Sequence, residues 1–138
     1  MAKKSKKIRL IISGSRSLKT FGLIEKAIAY ANIDIKNIKK VVHGNAIGID
    51  KLAGLWAKYH NIPVKVFPAE WNNLDVTNVV IGKNDLGTYN KLAGINRNEK
   101  MAEYGDVLLA IWDGQSRGTE HLIEFVKKLG KDFVVYEI

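Results

Sequence analysis

Three short segments carry the residues best suited to chemistry: Gly14-Ser15-Arg16-Ser17, His43-Gly44-Asn45-Ala46-Ile47-Gly48-Ile49-Asp50 and Asp113-Gly114-Gln115-Ser116-Arg117-Gly118-Thr119. Glycines let a backbone approach a phosphate closely and turn its N–H groups toward an anion, and a helix starting behind the loop adds a favourable dipole. Arg16 and Arg117 supply planar guanidinium forks that match phosphate oxygens. Ser15, Ser17, Ser116 and Thr119 add hydroxyl donors. Each segment taken alone reads equally as a tight turn followed by a helix cap. All three together, with two arginines, favour a phosphate-bearing ligand. None fits G-x-x-x-x-G-K-[ST] or G-x-G-x-x-G, which excludes the ordinary P-loop and dinucleotide-binding dehydrogenase readings.

Asp50 and Asp113 stand where a carboxylate either caps a helix or contacts ribose hydroxyls, with the structural role favoured. Arg97, Asn98 and Met101 fall on one predicted helix, with Arg97 and Met101 four apart on one face. From those two residues alone, a solvated Arg beside a core Met is the favoured reading. His43, His60 and His121 have no metal-ligand spacing, so no metal site is expected. Only His43 falls near the glycine segments, where a buried, hydrogen-bonded role competes with ligand contact. Trp56 reads as core, whereas Trp71 and Trp112 adjoin the glycine segments, where a ring can stack on a base.

The elements that must position these residues alternate along the chain. Short apolar runs at Ile8–Ser13, Lys40–His43, Val64–Phe67, Val107–Trp112 and Phe133–Ile138 predict strands. Helical stripes follow Thr20, run from Asp50 to His60, span Leu92–Tyr104, and pass through Leu122, Ile123, Phe125, Val126 and Leu129. This order predicts an α/β fold: a Rossmann-like, doubly wound parallel sheet of about five strands with helices on both faces. Ligands bind such sheets beyond the carboxyl ends of the strands, where all three glycine segments then lie. Residues 71–92 are polar and rich in Asn, Asp and Gly, and are expected to be an inserted loop or lid.

The chain of 138 residues suits one domain, residues 8–138 behind a basic tail at 1–7. Its formal charge is +8, but Lys3, Lys4, Lys6, Lys7 and Arg9 supply +5 of it, leaving +3 for the rest. A broad nucleic-acid-binding face is therefore not required. The absence of Cys excludes disulfides, thiolate catalysis and Cys-ligated metals, and fits a cytoplasmic protein. No apolar run approaches the roughly 18–20 residues of a membrane span.

Gly14-Ser15-Arg16, His43-Gly44-x-Ala46-x-Gly48-x-Asp50 with Ala53 and Ala57, and Trp71 form an ordered set of motifs. Ala93-Gly94-x-x-Arg97-Asn98-x-x-Met101, Asp106 and Trp112-Asp113-Gly114-x-Ser116-x-Gly118-Thr119 complete it. The set resembles the SLOG superfamily, the group of the DprA and Lonely Guy proteins, and within it the YspA-type branch of small bacterial and phage proteins. Covering roughly residues 8–138, the resemblance implies binding of a nucleotide or an NAD- or ADP-ribose-like derivative, without a cofactor. It also implies a homo-oligomer, in the host cytoplasm if phage-encoded.

Lonely Guy phosphoribohydrolases use an Arg on the third-helix motif and a Glu three residues beyond a Gly-Thr. Arg97 matches the first, but Leu122 occupies the second position, with Glu120 and Glu124 displaced from it. A carboxylate is needed there to stabilise oxocarbenium-like charge or activate water. The resemblance therefore favours a binding protein that senses or sequesters its ligand. The alternatives are an N-glycosidic hydrolase using Arg97 with Glu120 or Asp113, and DprA-like single-stranded DNA binding aided by the basic start.

Overall fold

The computed structural model describes residues 7–138 apart from Lys19, Phe21, Thr77 and Leu86. Except for the exposed Lys7, the expected basic tail lies outside the described residues. Strand β1 (Ile8–Gly14) leads through α1 (Gly22–Tyr30) to β2 (Ile38–His43), and α2 (Ile49–Tyr59) leads to β3 (Val64–Val66). Two short strands, β4 (Ile81–Asn84) and β5 (Gly87–Asn90), follow. The chain continues through α3 (Ala93–Tyr104), β6 (Val107–Trp112), α4 (Arg117–Lys128) and β7 (Asp132–Glu137).

The main sheet has the order β3-β2-β1-β6-β7, and all its pairings are parallel. Strand alternation sends successive side chains to opposite faces, and in β1 both faces are buried, as its near-continuous apolar run requires. Leu10 and Ile12 join Val41, Leu109 and Ile111 beneath α1 and α2, where Ile24, Ala27, Ala53 and Trp56 pack on them. Ile11 instead joins Val42, Leu108 and Ala110 beneath α3 and α4, against Met101, Ala102, Leu122 and Val126. Helices thus cover both faces, and the arrangement is α/β, Rossmann-like and doubly wound. Each fully buried aliphatic or aromatic side chain here contributes roughly 1.5–3 kcal/mol through removal from water.

The 71–92 segment is more ordered than its polar composition implies. β4 and β5 form an antiparallel pair with Ile81 opposite Asn90 and Gly82 opposite Tyr89. Asn90, buried at 1% exposure, stitches the segment together. Its Oδ1 accepts from the Val80 and Leu92 N–H groups at 3.2 and 3.0 Å, and its Nδ2 donates to Asn78 O at 3.2 Å. Its own N–H donates to Trp71 O at 2.6 Å, which ties both ends of the segment to the start of α3. One buried amide does what an apolar core does elsewhere, so hydrophobic periodicity gave no sign of these strands.

Candidate functional site

After β1 the chain winds in one direction to β2 and β3, while β6 and β7 lie on the other side of β1. The carboxyl ends of β1 and β6 therefore flank a crevice at the topological reversal. Gly14 lies opposite Ile111, and the Ser15 N–H donates to Ile111 O at 3.1 Å. A Cβ on Gly14 would strike that same carbonyl and the Ile49 side chain. Gly48, the N-cap of α2, has φ +84, and a Cβ there would lie 2.6 Å from Arg16 O. The first two loops are thus pressed together backbone to backbone at positions only glycine can occupy.

Asp50, in the first turn of α2, is 2% exposed and lies beneath both loops. Its carboxylate accepts from the Gly44 N–H at 2.9 Å and from the Ser13 hydroxyl at 3.2 Å. Burial pushes its pKa up, against the lowering influence of the Gly44 N–H, the Arg97 charge, the Gly14 N–H and the Ser13 hydroxyl. Arg97, reaching over from α3, donates through Nη1 to Gly44 O and through Nε to Asn98 Oδ1 at 2.9 Å. Asn98, itself buried, passes the connection on by donating to Gly118 O at 3.1 Å. Burial lowers the Arg97 pKa, Asp50 raises it and Arg16 lowers it further, yet a guanidinium stays charged at any ordinary pH. Directly at Gly44 and through Asn98 at Gly118, Arg97 therefore links the loop after β2 to the start of α4 after β6, and the rest of its fork is free of these anchors.

The third loop is organised differently. Asp113 Oδ1 accepts from the Gln115 and Ser116 N–H groups, both at 2.9 Å, and Ser17 Oγ donates to Oδ2 at 3.4 Å. The Gln115 and Ser116 N–H groups, foremost, hold the Asp113 carboxyl below its ordinary range. Ser15, almost fully buried, accepts the Asp113 N–H on its hydroxyl at 3.0 Å. Ser116 caps α4, accepting from the Thr119 N–H at 3.4 Å. The Trp112 indole, packed against the α3–α4 core, donates to Ser116 O at 3.0 Å.

A cavity of about 270 Å³ opens between these parts. Ser13, Gly14, Arg16, Asp50, Trp71, Arg97 and Asn98 line it, with Ser116, Gly118 and Thr119 on the α4 side. An adjoining cavity of about 210 Å³ shares Arg16, Ala46, Trp71 and Arg97 and adds Gly44, Asn45, Pro68 and Ala69. Arg16, Lys91 and Arg97 face one carboxylate, Asp50, so the lining favours an anion. A larger groove of about 530 Å³ on the outer side of α3 brings Glu70, Asp75, Glu99 and Glu103 against Lys65, Arg97 and Lys100. Its carboxylates suit a phosphate poorly, so chemistry rather than size selects the crevice.

The structure gathers Gly14, Arg16, Gly44, Asn45, Asp50, Trp71, Arg97, Asn98, Ser116, Gly118 and Thr119 around these two cavities. Ser15, Gly48 and Asp113 support the loops from behind. His43, Gly114, Arg117 and Glu120 stand outside the lining, the last three exposed to solvent. Ala46 and Gly94, which belong to the quoted motifs, also line the cavity, and Ser13, Lys91 and Ile95 join them without having been singled out in the sequence. Ser13 carried a signal, a hydroxyl inside an apolar run. Lys91 carried none, because the β4–β5 hairpin alone brings it there.

A family model described as the YspA, cpYpsA-related SLOG family matches residues 8–73, which contain the first two loops and Trp71. The Gene 61 protein of Mycobacterium phage D29 is 30% identical over 128 residues, covering 88% of this chain and 90% of the phage protein. No solved structure matches the chain. Among the described residues no helix is long and apolar enough to cross a membrane.

Proposed function

The chain belongs to the YspA, cpYpsA-related SLOG family, and from that premise we propose that it binds a nucleotide or an NAD- or ADP-ribose-like derivative in the crevice, as a sensor or sequestering protein. The observation that carries this reading is the anchored Arg97. Gly44 O and Asn98 Oδ1 fix its guanidinium, and its remaining N–H groups are available beside Arg16 and Lys91. A preorganised fork binds phosphate without the entropy cost of ordering a free side chain. Gly118 at the α4 N-terminus then takes the phosphate, Gly14 and Gly44, whose N–H groups go to Asp50, leave it room, and Trp71, 38% exposed, offers a face to the base.

Binding is favoured over hydrolysis because Asp113 and Glu120, the two carboxylates named for a hydrolase, do not line the cavity. Asp113 is held by its own loop, and Glu120 lies outside the lining. Single-stranded DNA binding rests on the basic N-terminal stretch rather than on the crevice.

Purified protein titrated with AMP, CMP, NAD and ADP-ribose by calorimetry, with chromatography for released base, tests the proposal. Saturable binding of at least one ligand without base release is expected, with Arg97→Ala weakening it by about tenfold or more, the worth of one charge-assisted hydrogen bond. Rapid base release would make the protein an N-glycosidic hydrolase. If no ligand binds and none co-purifies by mass spectrometry, the proposal is wrong.

A further inference from the structure

We propose that the groove between α2 and β3, behind the candidate nucleotide site, docks an extended segment of a partner protein in which apolar and acidic side chains alternate, with the His43 ring donating a hydrogen bond to it. The groove encloses about 740 Å³. β3 is the open edge of the main sheet and its described residues are all exposed, with Val64 at 37% and Val66 at 38%. Leu55 on α2 is 58% exposed and shares the groove with Val64, Val66, Ile62 and Pro63. Lys51 and Lys58 also line it, and no carboxylate does among the described residues.

His43 supplies a second, independent observation. The ring is 4% exposed, and its Nδ1 accepts the Asn45 N–H at 3.0 Å, so Nε2 carries the ring proton. That Nε2–H has no acceptor among the described residues, and it points at Gly54, where a Cβ would lie 2.8 Å away. The missing side chain at position 54 leaves the ring a line into the groove, which His43 helps to line. The Nε2–H thus has no partner among the described residues at the wall of the groove, and an occupant that brings an acceptor can take up that hydrogen bond.

Charge complementarity chooses the occupant. Two copies meeting groove to groove would bring the same two lysines together with no carboxylate, whereas an acidic segment neutralises them. The free edge of β3 favours an extended segment, since main-chain groups there can pair with an added strand. Pro63 and Pro68 flank β3, so that pairing spans about one turn of the ladder and side chains in the groove supply the remaining contacts.

The His43–Asn45 hydrogen bond also joins this groove to the loop whose Gly44 O anchors Arg97. Occupancy of the two sides is then reciprocally coupled, a consequence that rests on the nucleotide reading, whereas the docking itself does not.

A phage-displayed library of random octapeptides, selected on the wild-type protein and counter-selected on Leu55→Glu, tests the docking. The most enriched peptide is synthesised with a fluorescent label and titrated by polarisation. Expected are alternating acidic and apolar residues, binding weakened about tenfold by Lys51→Glu with Lys58→Glu, and a shift of the His43 imidazole Nε2–H resonance. Both lysines are exposed, so these variants are expected to fold, and circular dichroism checks them. No enrichment over Leu55→Glu, or equal binding to the lysine variant, overturns the proposal. So does sedimentation of the wild type as a dimer that Leu55→Glu makes monomeric, which would identify a self-interface. Adding ADP-ribose then reads the coupling: a peptide that binds while no nucleotide does refutes the nucleotide reading and leaves the groove standing.

Discussion

The segments after β2 and after β6 look alike as strings, each with glycines and an aspartate between a strand and the body of the next helix, yet the folded chain uses them in opposite ways. In the segment after β2, Asp50 turns inward, loses its water and faces Arg97 at the bottom of the cavity. In the β6 loop, Asp113 closes its own turn by collecting the Gln115 and Ser116 N–H groups near solvent. The difference lies in neighbours rather than residue type. Asp50 meets Ser13 from β1 and Gly44 from the β2 loop, while Asp113 takes its two 2.9 Å bonds from donors within three residues and only a long 3.4 Å one from Ser17. One carboxylate is held mainly by distant partners, and the other mainly by its own turn.

The comparison is broken most directly by deleting each carboxylate. Asp50→Ala strands the Gly44 N–H and removes the countercharge of Arg97, so urea unfolding is expected to show a loss of about 3 kcal/mol. Asp113→Ala removes donors' partners at a solvent-accessible turn and is expected to cost clearly less. Equal losses in the two variants would mean that the loops do not differ as described.

Glycine substitutions come next. Gly48→Ala combines a positive φ with a collision against the Arg16 backbone, for an expected loss of about 2–3 kcal/mol. Gly114→Ala meets only Glu137 Cδ at 4.0 Å, so its positive φ alone is expected to cost about 1 kcal/mol. Thermal unfolding of both variants reads the gap between strain alone and strain with collision.

In ligand binding, Arg97→Ala is expected to weaken affinity for whichever nucleotide the wild type binds by about tenfold, while Arg117→Ala changes it by less than about twofold. A larger effect at Arg117 would move the phosphate site out of the crevice and onto the α4 surface.

The smallest effects are those of pH, and their signs are opposed. The folded Asp50 pKa is raised, so the unfolded chain releases its proton first and stability declines as pH rises from about 3.8 through the raised value. Asp50→Asn removes that decline, and its stability relative to wild type is expected to improve with rising pH. The Asp113 pKa is lowered, so its contribution is present above about 3.8 and is lost as pH falls through the folded value. Asp113→Asn should therefore trail the wild type near neutrality and converge with it in acid. Denaturation curves collected from pH 3 to 7 distinguish the two slopes.

Much of this arrangement was legible in the residue order. The run Ile8–Ser13 is apolar without alternation because β1 is buried on both faces, and α2 shows its stripe at Ala53, Trp56 and Ala57 because one face meets the sheet. Alternating strands and helices then imply a parallel sheet and put the glycine segments at one edge, where Gly14, Gly44 and Gly118 are found. The β4–β5 hairpin was not legible, since Asn90 rather than an apolar stripe organises it. His43 likewise ends β2 beside the crevice, but strand alternation turns its ring to the α2 side.

Backbone periodicity is local, so the sequence by itself determined the elements of the main sheet and its helices, their buried faces and the edge at which the glycine segments gather. Only the tertiary structure decided which aspartate lies beneath the cavity, that Arg97 is anchored on Gly44 O across 53 residues, and that Lys91 arrives from a hairpin. Those outcomes depend on partners brought together from distant parts of the chain, and on burial, which sets the charge and reach of a side chain only after the elements have packed.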